Sequence, residues 1–174
     1  MLRFNSDHKF KLMQIADTQE IPAVSPDTLS LINNALDREK PDLVIFTGDQ
    51  IKGYSKKFKK DPAIIESTID ILVEPIAKRN IPFMVTYGNH DAQCGVDNRG
   101  QYKFYAKYDN FISGDLRNAD DVGTADIQIY SSTEDKPVFE LYIIDSHGKA
   151  KDGAGYAPVD KEQIEWYVSR REQL

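Results

Sequence analysis

Apolar residues in the first half of the chain fall into three short runs, "FKLMQIAD", "DLVIFTGD" and "IPFMVTYG", at residues 10–17, 42–49 and 81–88. Runs of this length bounded by acids, prolines and glycines predict buried strands. Between them, apolar positions recur at helical spacing. "SPDTLSLINNALDREK" has Leu29, Ile32 and Leu36 on one face and Pro26 in its first turn, and Pro41 closes it. "DPAIIESTIDILVEPIAKRN" has Asp61 as N-cap, Pro62 just inside, and Ile65, Ile69, Leu72 and Ile76 in phase. Pro75 is expected to kink this second helix or shorten it. The order β-α-β-α-β predicts a parallel sheet covered by helices. The three strands, near residues 10–16, 43–47 and 83–87, should be neighbours in it.

After Asn98 the pattern changes. "RGQYKFYAKYDNFI" predicts an aromatic-rich helix over residues 99–112. "TADIQIYSS" and "PVFELYIIDS" alternate on either side of "TEDK" and predict an antiparallel hairpin. "KDGAGYAP" reads as a glycine-rich loop. "VDKEQIEWYVSRREQL" predicts a last helix, with Asp160 as N-cap, Gln163 three residues on, and Ile164, Tyr167 and Val168 on one face.

The length of 174 residues suits one domain over 1–174. Hydrophobic residues at 40% and charged residues at 29% exclude a disordered chain. A net charge of -6 argues against nucleic acid as a partner and favours attraction of divalent cations. The five lysines of "QIKGYSKKFKK" read as a solvated loop. No run approaches the roughly 20 apolar residues of a membrane span, and the N-terminus lacks a signal-peptide pattern. Cys94 is the single cysteine, so no internal disulfide forms, and a cytoplasmic location is expected.

The chemistry lies at the strand ends. The first strand runs into "IADTQE", the second into "FTGDQI" and the third into "TYGNHD". In a parallel sheet, ligands collect outside the carboxyl ends of the strands. Asp17, Asp49, Asn89 and His90 would then meet at one edge. Two carboxylates, an amide oxygen and an imidazole suit Mn, Fe, Zn or Ni better than a thiolate-seeking metal. Gly48 and Gly88, each just before a candidate ligand, would let the backbone turn sharply beside an ion. One such Asp alone reads as a turn former or helix N-cap. Three successive strands ending this way point to a site.

In these motifs the chain resembles the calcineurin-like metallophosphoesterase family, and within it the purple-acid-phosphatase-like bacterial members. The family pattern is D-x-H, then G-D, then G-N-H-[DE], then later histidines including G-H-x-H. "GDQ" at 48–50 and "GNHD" at 88–91 match in order, and "LYIIDSHG" and "QIEWYVSRREQL" extend the likeness over the chain. The resemblance implies an αββα-type sandwich, its second sheet incomplete in this chain. It also implies two divalent metal ions and hydrolysis of phosphomonoesters or phosphodiesters. Asp17 would hold the first ion, Asp49 would bridge both, and Asn89 would hold the second. His90 would act on the phosphoryl oxygens or the leaving group, with Asp91 orienting it through a hydrogen bond.

Two positions depart from the pattern. Gln19 stands where the family has its first histidine, and it has three readings: metal ligand, contact through water, or hydrogen-bonding neighbour. The last metal-binding histidines of the pattern would lie beyond Leu174, which suggests a C-terminally truncated domain, a weak catalyst by itself. It would also leave a sheet edge open to self-association. Of the remaining histidines, His8 reads as solvated. His147 in "DSHG" reads as a loop histidine, with a cleft-facing substrate contact as the second reading. The competing function class is a non-catalytic binding or scaffold protein that keeps the fold.

Overall fold

The computed structural model describes residues 1–150, 153 and 155–173. Its first sheet contains the three expected parallel strands. They are β2 (Leu12–Ile15), β3 (Leu43–Thr47) and β4 (Phe83–Thr86), in the order β2-β3-β4. Ile15 lies opposite Phe46, and Thr47 opposite Thr86, so all three chains leave the sheet at the same edge.

Alternation along the central strand builds both cores. Val44 and Phe46 face a cluster with Ile32, Leu36, Ile65, Ile69, Leu72 and Ile76 from the helices α1 (Pro26–Glu39) and α2 (Pro62–Ala77). Leu43 and Ile45 point the other way, with Met84, onto Ala125, Ile129 and Ile143 of the second sheet. Each of the buried Val, Leu, Ile, Phe and Met side chains stabilises the fold by roughly 1.5–3 kcal/mol. β2 is the outer strand, with Leu12 39% exposed, which is why only Leu12–Ile15 of the expected 10–16 pairs as strand.

The second sheet is built on the expected hairpin, β6 (Ala125–Tyr130) and β7 (Pro137–Ile143), antiparallel with Ile127 opposite Leu141. Two short strands that the hydrophobic pattern does not reveal share the other side of β6. β1 (Leu2–Arg3) runs parallel to it and β5 (Asp115–Leu116) antiparallel. Strands of two residues carry no periodicity to read. Among the described residues, the outer edges of β2 and β7 are unpaired. The last helix, α4 (Lys161–Arg171), lies outside this sheet, so the layers run helices, sheet, sheet, helix. No described helix is long and apolar enough to cross a membrane.

Four local expectations change. The helix α3 (Asn98–Ala106) stops well short of residue 112. Phe83 of β4 takes the next segment instead: its amide donates to the Asn110 carbonyl and its own carbonyl accepts from Ile112. Phe111 and Tyr108 then pack edge-on against the Phe83 ring. The helix α2 runs through Pro75 and ends two residues later; there the missing N–H costs one bond in the last turn. On α4 the capping box between Asp160 and Gln163 is present, but Ile164 and Val168 are exposed. The inward face holds Gln163, fully buried, with Tyr167 edge-on to Tyr142 and Arg170 paired to Asp126 at 2.7 Å. Finally, His8 is not merely solvated, since its Nδ1 lies 2.9 Å from Ser132 Oγ across the hairpin end. Part of the expected loop at 151–158 lies outside the described residues.

Candidate metal centre

Beyond the sheet edge the β2 and β3 chains keep running side by side. Asp17 N donates to Gly48 O, Gln19 N to Asp49 O and Glu20 N to Gln50 O, all near 3.0 Å. Asp17, Gln19 and Asp49 all have φ near +50°, a left-handed conformation that costs a non-glycine residue about 1 kcal/mol. That cost turns their side chains away from the ladder. Gly48, at φ +101°, lets the β3 chain come so near β4 that a Cβ there would overlap the Gly88 amide. A Cβ on Gly88 would in turn overlap the Asp49 carboxylate. The two glycines are therefore required by close approach.

Asp49 sits at the middle of the group and is 8% exposed. Its Oδ1 accepts from His90 N at 2.8 Å, and its Oδ2 accepts from the Gln19 side-chain amide at 3.1 Å. Asp17 is exposed and Asn89 half-buried. Among the described residues neither the Asp17 carboxylate nor the Asn89 side-chain amide takes part in a hydrogen bond. The Gln19 side chain and the His90 backbone thus meet at Asp49, with Asn89 next in the chain to His90 and Asp17 on the adjoining loop.

Asp91 differs from expectation. Its carboxylate makes no hydrogen bond to His90 but accepts from backbone amides: Asp49 at 2.7 Å, Gly88 at 2.8 Å and Gln50 at 3.0 Å, with Ile51 at 3.4 Å. It is 2% exposed. Burial, helped by the Asp49 charge, raises its pKa to about 6 against the pull of these amides. It is ionised at neutral pH and staples the β3 and β4 loops together. A short side chain that follows the histidine in a 3₁₀ turn (Asp91–Cys94) points inward under the loops, away from the imidazole.

The residue that holds the imidazole is Gln93. His90 Nδ1 lies 3.1 Å from Gln93 Oε1, while Gln93 Nε2 donates to the Asn89 carbonyl at 3.1 Å. The second bond fixes which end of the Gln93 amide is oxygen. Nδ1 therefore carries the proton, and Nε2 is the free ring nitrogen. The exposed Tyr54 ring packs edge-on against His90, 4.7 Å between centroids, and Lys52 Nζ lies 5.3 Å above Tyr54. Neither Gln93 nor Tyr54 is marked by any motif; only the turn three residues past His90 and the Phe58-anchored lysine loop bring them in.

The donor set fits a hard or borderline divalent cation. Asp17 and Asn89 offer unengaged oxygens, Asp49 is a buried carboxylate, and the two glycines stand where larger side chains would overlap the loops. Gln19 departs from an imidazole ligand in kind. With its nitrogen on Asp49 it acts as a hydrogen-bonding neighbour, and its oxygen would face an ion only after the amide turned over.

Residues 10–173 match the family model for calcineurin-like phosphoesterases, and the chain belongs to that family. It is 32% identical over 183 residues to the phosphatase DCR2 of Saccharomyces cerevisiae, covering 91% of this chain and 30% of that protein. It is 28% identical over 195 residues to "probable inactive purple acid phosphatase 14" of Arabidopsis thaliana, covering 95% of this chain and 47% of the relative. The chain thus spans half or less of the curated relatives it matches. A crystal structure of a dimetal phosphatase from Danio rerio shares the fold, with a TM-score of 0.53 and 14% identity, covering 91% of this chain and 50% of that one.

Proposed function

We propose that this domain hydrolyses phosphate esters with two divalent metal ions held at the carboxyl edge of the β2-β3-β4 sheet. The observation that carries the reading is the gathering of Gln19, Asn89 and His90 around the buried Asp49, with Asp17 on the adjoining loop. Membership of the phosphoesterase family supports the reaction class. Asp17 would hold one ion, Asp49 both, and Asn89 the other, with Mn, Fe, Zn and Ni all compatible with oxygen and imidazole donors. Such a pair of ions, when bound, supplies positive charge to the phosphoryl group and lowers the pKa of water.

The chain's own residues supply the rest. Gln93 keeps the proton on His90 Nδ1, so Nε2 is the nitrogen that faces chemistry. In the imidazolium form Nε2–H donates to a phosphoryl oxygen or gives its proton to the departing alkoxide. The hydrogen bond from His90 N to Asp49 Oδ1 keeps this group in register with the carboxylate that would hold the ions. Asp91 holds both loops in place from beneath.

The test measures metal content and turnover of an aryl phosphate with added Mn²⁺ for Asp49→Ala and His90→Ala. His90→Ala should lower turnover by about 10²–10⁴-fold with its ions retained. Asp49→Ala should lose ions and turnover together. Equal metal loss in both would remove the distinction between ligand and acid.

One observation favours a second reading, a binding protein that keeps the fold without catalysis. Gln19 turns an amide N–H, not a ligand atom, towards Asp49. The relative named as inactive points the same way for that protein. Full metal occupancy with no turnover on phosphomonoesters or phosphodiesters would decide for it.

A further inference from the structure

A second group of ligating side chains lies on the loops after β5 and β7, beside the end of β4. Asp121, Asp145 and His147 each place one donor atom within 4.8 Å of the other two. Asp121 follows β5, while Asp145 and His147 follow β7, so the group joins two loops distant in sequence. Asp121 and Asp145 are only 4% and 3% exposed. Carboxylates this deep are normally fully paired.

These are not. Asp121 Oδ2 accepts from Arg117 Nε at 2.7 Å and Gln163 Nε2 at 3.2 Å, but Asp121 Oδ1 is buried with no partner among the described residues. Asp145 Oδ1 accepts from His147 N at 2.7 Å, and its Oδ2 from Asn98 Nδ2 at 2.8 Å. The Oδ1 of that Asn98 amide is a second buried oxygen without a partner. Asp121 Oδ1 is thus a buried carboxylate oxygen left free to take a cation.

The imidazole supplies the third argument. His147 Nδ1 is 3.9 Å from Asp145 Oδ2, and Nε2 is 3.8 Å from Asp160 Oδ2. Both are too long for a hydrogen bond. Only the first is a separation that two ligands of one ion can take, because the two ring nitrogens point apart and Nε2 faces Asp160 instead. With bonds of about 2.1 Å, two donors stand about 3.4 Å apart at a tetrahedral angle and about 4.2 Å apart when trans. Arg117 offsets one charge of the group. Asp121, Asp145 and Asp160 together still leave an excess of negative charge for a cation to neutralise.

We propose that Asp121, Asp145 and His147 form a third divalent-cation site, separate from the pair at Asp49, with Zn²⁺ or Mn²⁺ as its occupant. Two carboxylates and an imidazole are a donor set for such ions. Water completes the coordination, since His147 is on the surface side, 42% exposed. The ion is structural. It ties the loop after β5 to the loop after β7, and Asp160 brings in the N-cap of α4. Gly148, next to His147, passes the Asn89 carbonyl, with a Cβ position there 3.9 Å from that oxygen. The site therefore braces one wall of the metal centre without contributing a ligand to it.

The experiment counts Zn²⁺ per chain by equilibrium dialysis and follows thermal unfolding with and without Zn²⁺. The proteins are the unaltered chain, His147→Ala, Asp49→Ala, the two combined, and His8→Ala as a surface-histidine control. His147→Ala should bind one ion fewer than the unaltered chain, and should do so again on the Asp49→Ala background. It should also lose part of the Zn²⁺-dependent rise in unfolding temperature. Asn98→Ala, which frees Asp145 from its orienting amide, should weaken this ion about 10-fold. If His147→Ala and Asp145→Asn both keep the full count, or if His8→Ala alone lowers it, the third site is wrong. Loss of every ion in Asp49→Ala would also overturn it, because the sites would not be separate. An unchanged count in Asp49→Ala with one ion lost in His147→Ala would instead sink the dinuclear reading and leave this one standing.

Discussion

The Asp91 carboxylate accepts the Asp49 amide at 2.7 Å, and with the same oxygen the Gly88 amide at 2.8 Å. One buried side chain thus closes the gap between the ends of β3 and β4. It sets the position of Asp49 relative to Asn89 and His90 before any ligand arrives. Asp91→Ala should leave these amides unpaired in the interior and cost about 3 kcal/mol or more. Asp91→Asn should be nearly as harmful, since it turns an N–H towards N–H groups. Urea unfolding checks both.

Gly88 is a second structural condition on the centre. In Gly88→Ala the new methyl group would overlap the Asp49 carboxylate, with backbone atoms of Asp49 close behind, so the loop must shift. Metal content should fall along with stability, by about 1–3 kcal/mol.

Gln93 rather than Asp91 holds the His90 ring. Gln93→Leu should therefore reduce turnover about 10-fold with the ions in place, by leaving the imidazole free to rotate and change tautomer. Gln93→Glu keeps an acceptor for Nδ1–H and should recover most of the rate. A loss of metal in Gln93→Leu would contradict a role confined to the ring.

A pH effect is expected far from the centre, under α4. Glu140 packs beside Asp126, and burial together with that second carboxylate raises its pKa to about 7 from 4.5. The folded protein thus holds a proton that the unfolded chain has already released. This contribution to stability is complete below about pH 4.5 and is lost as pH rises towards 7. Arg170, 2.7 Å from Asp126, lessens the effect but does not remove it. Glu140→Gln, which cannot ionise, should lose less unfolding temperature between pH 5 and pH 8 than the unaltered chain.

Legibility in the sequence followed the range of the interaction. The strands β3 and β4, the helices α1 and α2, the hairpin and the α4 cap were readable because period, capping residues and turn residues act within a few positions. That the ends of β2, β3 and β4, which carry Asp17, Asp49, Asn89 and His90, lie at one edge of the sheet was readable as well. Parallel strands with helical crossovers must all end at the same edge, so local order implied a shared place. The partners of those groups were not readable. Asp91 and Gln93 both follow His90 within three residues, and nothing local decides which of them meets the imidazole. The 3₁₀ turn decides it, by sending Asp91 under the loops and Gln93 back over the ring. The inward face of α4 was decided by Asp121, Thr124 and Asp145, which draw Gln163 in against the pull of Ile164 and Val168. The grouping of Asp121, Asp145 and His147 likewise exists only once β5 and β7 flank β6, because no periodicity relates residues on two loops whose strands merely share a neighbour.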